Sequence, residues 1–195
     1  MTPRGAESEI VFSGCWRRLD RTGLDAIRLD RHGDEWRLGG TVIVVDAGRS
    51  CRLDYLVTCD AAWRTRRTRV SGWIGSGTVD ITLDADGAGR WWRDGVERVE
   101  LAGCLDVDLG FTPATNTLPI RRLALPTGES VPVRAAWLRF PDLTLEVLEQ
   151  VYTRTGEHAY RYESGGGRFV APLAVNDEGL VTAYGEYWRM EAAAP

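Results

Sequence analysis

Residues 77–84 read Gly-Thr-Val-Asp-Ile-Thr-Leu-Asp, and Val79, Ile81 and Leu83 alternate without a break against Thr78, Asp80, Thr82 and Asp84. Successive side chains of a strand point to opposite faces, so this octet has one buried face and one wet face. Asp86-Gly87 follows at once and marks a tight turn of the hairpin kind. Trp91-Trp92-Arg93-Asp94-Gly95 starts the returning strand, and Val96 to Cys104 leads onward. The octet therefore predicts an antiparallel sheet.

The segments upstream repeat the pattern. Strands are predicted over Ile10–Leu19, Gly23–Leu29, Trp36–Val45, Arg52–Cys59 and Trp63–Ile74, parted by turns such as Arg31-His32-Gly33-Asp34 and Asp46-Ala47-Gly48-Arg49. The run Thr41-Val42-Ile43-Val44-Val45 is almost wholly apolar, which predicts cover on both faces. Trp63–Ile74 is the exception, since neither parity is plainly apolar and Arg64, Arg66, Arg67 and Arg69 crowd it. Those arginines are either solvated, or one pair meets a polar ligand group, because a guanidinium suits bidentate contact with carboxylate or phosphate. Downstream, strand pattern resumes over Val131–Phe140 and Pro141–Gln150. Tyr152, Tyr160 and Tyr162 mark a hairpin near Gly156, and further strands cover Phe169–Val175, Leu180–Tyr184 and Tyr187–Met190.

Between the two runs lies Cys104–Leu125, CLDVDLGFTPATNTLPIRRLAL, which is unlike either. Asn116–Leu125 is the one credible helix, with Thr115 or Asn116 as its cap and Pro119 in its first turn. About a dozen strands with one short helix and no βαβ rhythm predict an all-β class, a sandwich or barrel, in one domain over 1–195.

Composition narrows the function classes. Of 195 residues, 44% are hydrophobic and 27% charged, enough for a core. The net charge of −4 argues against nucleic acid and against an anionic membrane surface. Eight Trp, six of them in the first half, raise the expectation of a ligand cavity. The opening MTPRGAESEIVF has no signal-like apolar core, and no run reaches the ~18 apolar residues that span a bilayer. The expectation is a cytoplasmic protein without stable membrane insertion. Cys15, Cys51, Cys59 and Cys104 lack zinc spacing and are expected as buried thiols, with no metal and no cofactor.

Nucleophile and phosphate-loop signatures are missing: there is no G-x-S-x-G and no Lys for a phosphate loop. Asp106 and Asp108 remain. Two apart on a strand, both face one way, about 6–7 Å apart, within reach of a glycosidase acid/base pair. The same D-x-D also suits a wet strand face, or an ion pair with Arg121 or Arg122.

Several stretches taken together resemble one family: Leu53-Asp54-Tyr55, Val57-Thr58-Cys59-Asp60, Trp63-Arg64-Thr65-Arg66, Asp106-Val107-Asp108-Leu109, Thr115-Asn116-Thr117-Leu118-Pro119-Ile120-Arg121-Arg122-Leu123, Tyr160-Arg161-Tyr162 and Val175 to Val181. The chain resembles the bacterial "putative glycolipid-binding" family over roughly Trp16–Met190, and the TNTLPIRRL string is the most specific part. The resemblance implies a β-rich domain shaped like the carriers that localise lipoproteins, a strongly curved antiparallel sheet forming an incomplete barrel with a greasy interior, and no established catalytic residues.

The leading expectation is a non-catalytic binding protein for a hydrophobic or amphipathic small molecule such as a glycolipid. Tyr55, Trp63, Trp73 and Trp92 are the expected cavity walls, and Arg67, Asn116, Thr117 and Arg121 the expected polar mouth. The rival is a hydrolase of a sugar or sugar-lipid using Asp106 and Asp108. It requires both carboxylates in an open cleft, and one locked to Arg ends it. A third reading is a barrel filled by its own Trp side chains.

Overall fold

A computed structural model of the protein describes residues 8–194. Strand makes up 63% of it. The first run gives β1 (Ser8–Arg18), β2 (Gly23–His32), β3 (Glu35–Asp46), β4 (Arg49–Cys59), β5 (Thr65–Ile74), β6 (Gly77–Ala85), β7 (Trp91–Arg93) and β8 (Val96–Glu97). The second gives β9 (Asp106–Leu109), β10 (Ser130–Leu138), β11 (Leu145–Gly156), β12 (Ala159–Ser164), β13 (Phe169–Val175), β14 (Val181–Tyr184) and β15 (Trp188–Ala194). A single helix, α1 (Thr117–Leu123), lies between β9 and β10, preceded by a 3-10 turn over Ala114–Asn116.

All fifteen strands belong to one sheet, in the order β8-β7-β6-β5-β4-β3-β2-β1-β15-β14-β13-β12-β11-β10-β9. The chain starts in the middle and meanders to one edge. It crosses through residues 98–105 to the opposite edge, then meanders back until β15 pairs with β1. Every pairing is antiparallel except β9 with β10. The sheet is not closed, yet its ends approach. The Thr65 amide donates to the Leu105 carbonyl at 3.0 Å, and the Val107 amide donates to Thr65 Oγ1 at 3.0 Å.

The period-two readings hold where a strand is regular. Val79, Ile81 and Leu83 are buried on β6, as are Leu53, Tyr55 and Val57 on β4. On β3 the expectation of two covered faces is corrected. Val42 and Val44 are buried, but Ile43 and Val45 are exposed on the outer face. β5 was illegible for a physical reason. Thr58 pairs with Arg67 and Cys59 with Thr65, so Arg66 is an extra residue that shifts the register. Such a bulge exchanges the faces, and the inward set becomes Thr65, Thr68 and Val70.

Residues 111–120 are buried without interruption. They plug the curved sheet from within: Phe111, Ala114 and Leu118 join a core with Leu53, Val57, Leu83 and Trp91, while Ile120 joins Tyr152, Tyr160 and Leu173 on the other side. Neither Thr115 nor Asn116 caps the helix through its side chain. Thr115 Oγ1 instead accepts the Leu109 amide at 3.2 Å, which ties the plug to β9. At its other end Ala124 takes the left-handed conformation and its amide bonds the Ile120 carbonyl at 3.1 Å. All four cysteines are free thiols, three of them buried and Cys15 partly so.

Candidate functional site

The half of the sheet built by β1–β8 packs on a core in which Trp16, Trp91 and Phe111 are fully buried. The half built by β9–β15, with Arg18 of β1, borders a half-open cavity of about 360 Å³. One wall is aromatic. β12 supplies Tyr162, β13 Phe169, β14 Tyr184 and the turn after it Tyr187, on adjacent strands. Four of the ring pairs lean edge to face, with centroids 5.9–6.2 Å apart, the geometry that aromatic quadrupoles favour, and Phe169 and Tyr187 are tilted at 5.5 Å. Trp137, Leu148 and Trp188 add apolar surface.

A polar patch adjoins it, from β9 and the plug. β9 presents Asp108 and the 3-10 turn presents Asn116. Gln150 on β11 organises this side. Its Nε2 donates to Asp108 Oδ2 at 2.6 Å and to the Tyr162 hydroxyl at 3.0 Å. Tyr152 OH donates to Asn116 Oδ1 at 2.8 Å, and Asn116 Nδ2 donates to the Pro113 carbonyl at 2.9 Å. Burial pushes the Asp108 carboxyl up to about 6, against the pull of the Gln150 bond. It is thus mainly ionised at neutral pH. Burial, then the Asp108 charge, also pushes the Tyr162 hydroxyl up.

Thr112 connects the cavity to the core of the first half. It lines the cavity, and its hydroxyl donates to Asp25, a fully buried carboxyl on β2 that also accepts from Tyr55 OH at 3.2 Å. Among the described residues no cation pairs with Asp25, and burial raises its pKa to about 7 despite those two donors.

The two carboxylates of the D-x-D have different surroundings. Asp106, 1% exposed, is bound by both Nε and Nη2 of Arg122, the first at 2.9 Å. Burial raises its pKa more than Arg122 lowers it. With one carboxylate locked to Arg and the other in the cavity, the acid/base pair does not form, and the hydrolase reading is set aside.

Of the eight residues expected to bind ligand, Asn116 lines the cavity. Tyr55 is in the core on Asp25. Thr117 is fully buried on α1, and its Oγ1 has no hydrogen-bond partner among the described residues. Trp63 is buried with its ring 4.5 Å from Trp36, and the Arg121 guanidinium sits 5.3 Å over it. Arg121 borders a second, polar depression of about 420 Å³ with Arg154, His158 and Asp177. Trp73 is exposed on the outer face. Arg67 is exposed and faces Asp84 at 3.6 Å. Trp92 is half-buried near the β8 edge under Arg90. Sequence reasoning missed Gln150, Tyr162, Phe169, Tyr184, Tyr187 and Trp188. The available signal was the density of tyrosines after residue 150, six in the whole chain with five of them there.

Among the described residues, no group of three or more His, Cys, Asp or Glu is placed to hold a metal ion. No helix is long and apolar enough to cross a membrane.

The sequence profile of a family described as "Putative glycolipid-binding" matches residues 13–190. Among solved structures, the chain is similar to the 1.80 Å crystal structure of a DUF1089 family protein from Pseudomonas aeruginosa. The two share 34% identity with a TM-score of 0.76, over 83% of this chain and 88% of that one. Comparison with curated proteins gave no match.

Proposed function

The chain belongs to this glycolipid-binding family, and from that membership we propose that it is a non-catalytic binding protein whose ligand enters the cavity between the plug and β9–β15. The observation that carries the reading is the cavity's mixed chemistry: an aromatic wall adjoins a carboxylate and an amide that are themselves held in place. Ligand sites are typically apolar concavities of roughly 300–1,000 Å³ with a few placed polar groups. At about 360 Å³ this one is at the small end, which suits a headgroup and the first part of a chain, with the remainder running out of the mouth. Each methylene removed from water contributes about 0.8 kcal/mol before association costs are subtracted.

Tryptophan fluorescence tests it, because Trp137 and Trp188 line the cavity. An alkyl glucoside added below its micelle concentration should give a saturable one-site change. Ser164→Phe, which fills the cavity from β12 without adding a tryptophan, should abolish the change. A non-saturable response, or equal binding by the Ser164→Phe variant, contradicts the reading.

A further inference from the structure

We propose that the polar depression at the C-terminal end of α1 is a second binding site, which takes a soluble phosphate monoester between Arg121 and Arg154. Among the described residues none borders both this depression and the cavity. The inference therefore stands apart from the binding function above.

Two guanidiniums border the depression, Arg121 from α1 and Arg154 from β11. Among the described residues neither has a carboxylate partner, whereas the adjacent Arg122 is locked to Asp106. Both are nevertheless held in place. Arg154 donates from Nε to the Gly156 carbonyl at 3.2 Å, from Nη1 to Leu125 at 2.8 Å and from Nη2 to Glu157 at 2.7 Å. A guanidinium has five N–H donors, so three fix its position and two remain. The carbonyls orient the group without supplying a counter-charge.

Arg121 is held by other means. Its guanidinium lies 5.3 Å over Trp63, whose ring stacks on Trp36 at 4.5 Å. Its stem crosses Gly179, where an added Cβ would come 2.9 Å from Arg121 Cδ and where φ is +77°. A glycine in that turn is what gives the arginine room. Its one hydrogen bond is long, from Nη1 to the Asp177 carbonyl at 3.4 Å. Stacking engages the face of a guanidinium and leaves its in-plane donors for a ligand.

The donors select the ligand class. A carboxylate has two oxygens in one plane, which a single guanidinium satisfies. A phosphate monoester carries about −1.5 to −2 charges at pH 7 and three terminal oxygens. It can therefore meet donors on α1 and on β11 at once and supply a counter-charge to both. Ile120, Tyr160 and Val175 border the same depression and offer apolar surface to the organic part. Glu157 and Asp177 border it too, but both are exposed, and the Asp177 side chain, 89% exposed, points to His158 at 3.7 Å. In water at the rim these carboxylates are screened by salt. Against an anionic bilayer they would meet like charge, which favours a soluble ligand.

Isothermal titration calorimetry at low salt with phenyl phosphate, inorganic phosphate and phenylacetate tests the assignment. Phenyl phosphate should bind one to one, about tenfold more tightly than phenylacetate and several-fold more tightly than inorganic phosphate. Arg121→Gln, with its fold verified by thermal melting, should weaken phenyl phosphate by about tenfold or more. Arg121→Lys keeps the charge without the fork and should lose less. Ser164→Phe alters only the cavity and should bind phenyl phosphate as the wild type does, so the two sites succeed or fail separately. No binding of phenyl phosphate, equally tight binding of phenylacetate or inorganic phosphate, or wild-type affinity in Arg121→Gln overturns the proposal. Co-sedimentation with phosphatidic acid vesicles that Arg121→Gln abolishes overturns the soluble source.

Discussion

Asp25 is the residue whose chemistry departs most from its sequence context. Nothing in Gly23–Leu29 distinguishes it from a surface aspartate, and its burial follows from Tyr55 and Thr112 converging on it from 30 and 87 residues away. Its raised pKa has a consequence for stability. The native carboxyl holds a proton up to about pH 7, whereas an unfolded aspartate gives it up near 3.9. Between those values the native state binds more protons, so stability falls as pH rises from about 4 to about 7, by an amount of order 4 kcal/mol. Asp108 adds a loss of the same sign through about 6. Asp20, Asp86 and Asp142 are held below the usual carboxylate range and act below this window. Urea midpoints should therefore be higher at pH 5 than at pH 8, and Asp25→Asn should flatten most of the difference. A midpoint that rises with pH, or an unchanged slope in the variant, contradicts the account. The D-x-D pair illustrates the same limit on reading. Its shared face was legible from spacing, but Arg122 and Gln150 decide the separate fates of Asp106 and Asp108, and neither partnership is local in sequence.

Regular elements were legible and interrupted ones were not. β4 and β6 were readable because their buried faces keep a period of two. β5 was not, because the extra residue Arg66 changes parity midway. Helix α1 was found close to its true bounds, although its expected side-chain cap is absent. What holds it in place is the long-range Arg122–Asp106 pair together with an apolar face. Removing one member of a buried ion pair leaves the other charge uncompensated, at a cost of about 3–5 kcal/mol. Arg122→Ala should lower stability by that order in chemical denaturation. The double change Asp106→Leu with Arg122→Met should recover most of it, since apolar replacement removes both charges together. Equal losses in the single and double variants would show that the pair is not what anchors the plug.

At the scale of the molecule, the all-β class, the open curved sheet and the family were all readable from the chain. The location of the cavity was not. Tryptophan count pointed to the first half, yet Trp16, Trp63 and Trp91 are buried in the core there and Trp73 is exposed on the outer face, and the cavity lies under the tyrosine-rich second half. The reason is topological. The crossing through residues 98–105 carries the plug to the far edge, so its polar side faces β11–β14 and not the strands that precede it. Native mass spectrometry of gently purified protein tests the central claim, that this sheltered space holds an amphipathic molecule, most directly. The account predicts a one-to-one adduct of glycolipid mass that disappears in the Ser164→Phe variant. Bare protein mass after exposure to a glycolipid extract, or an adduct that Ser164→Phe retains in full, would contradict it.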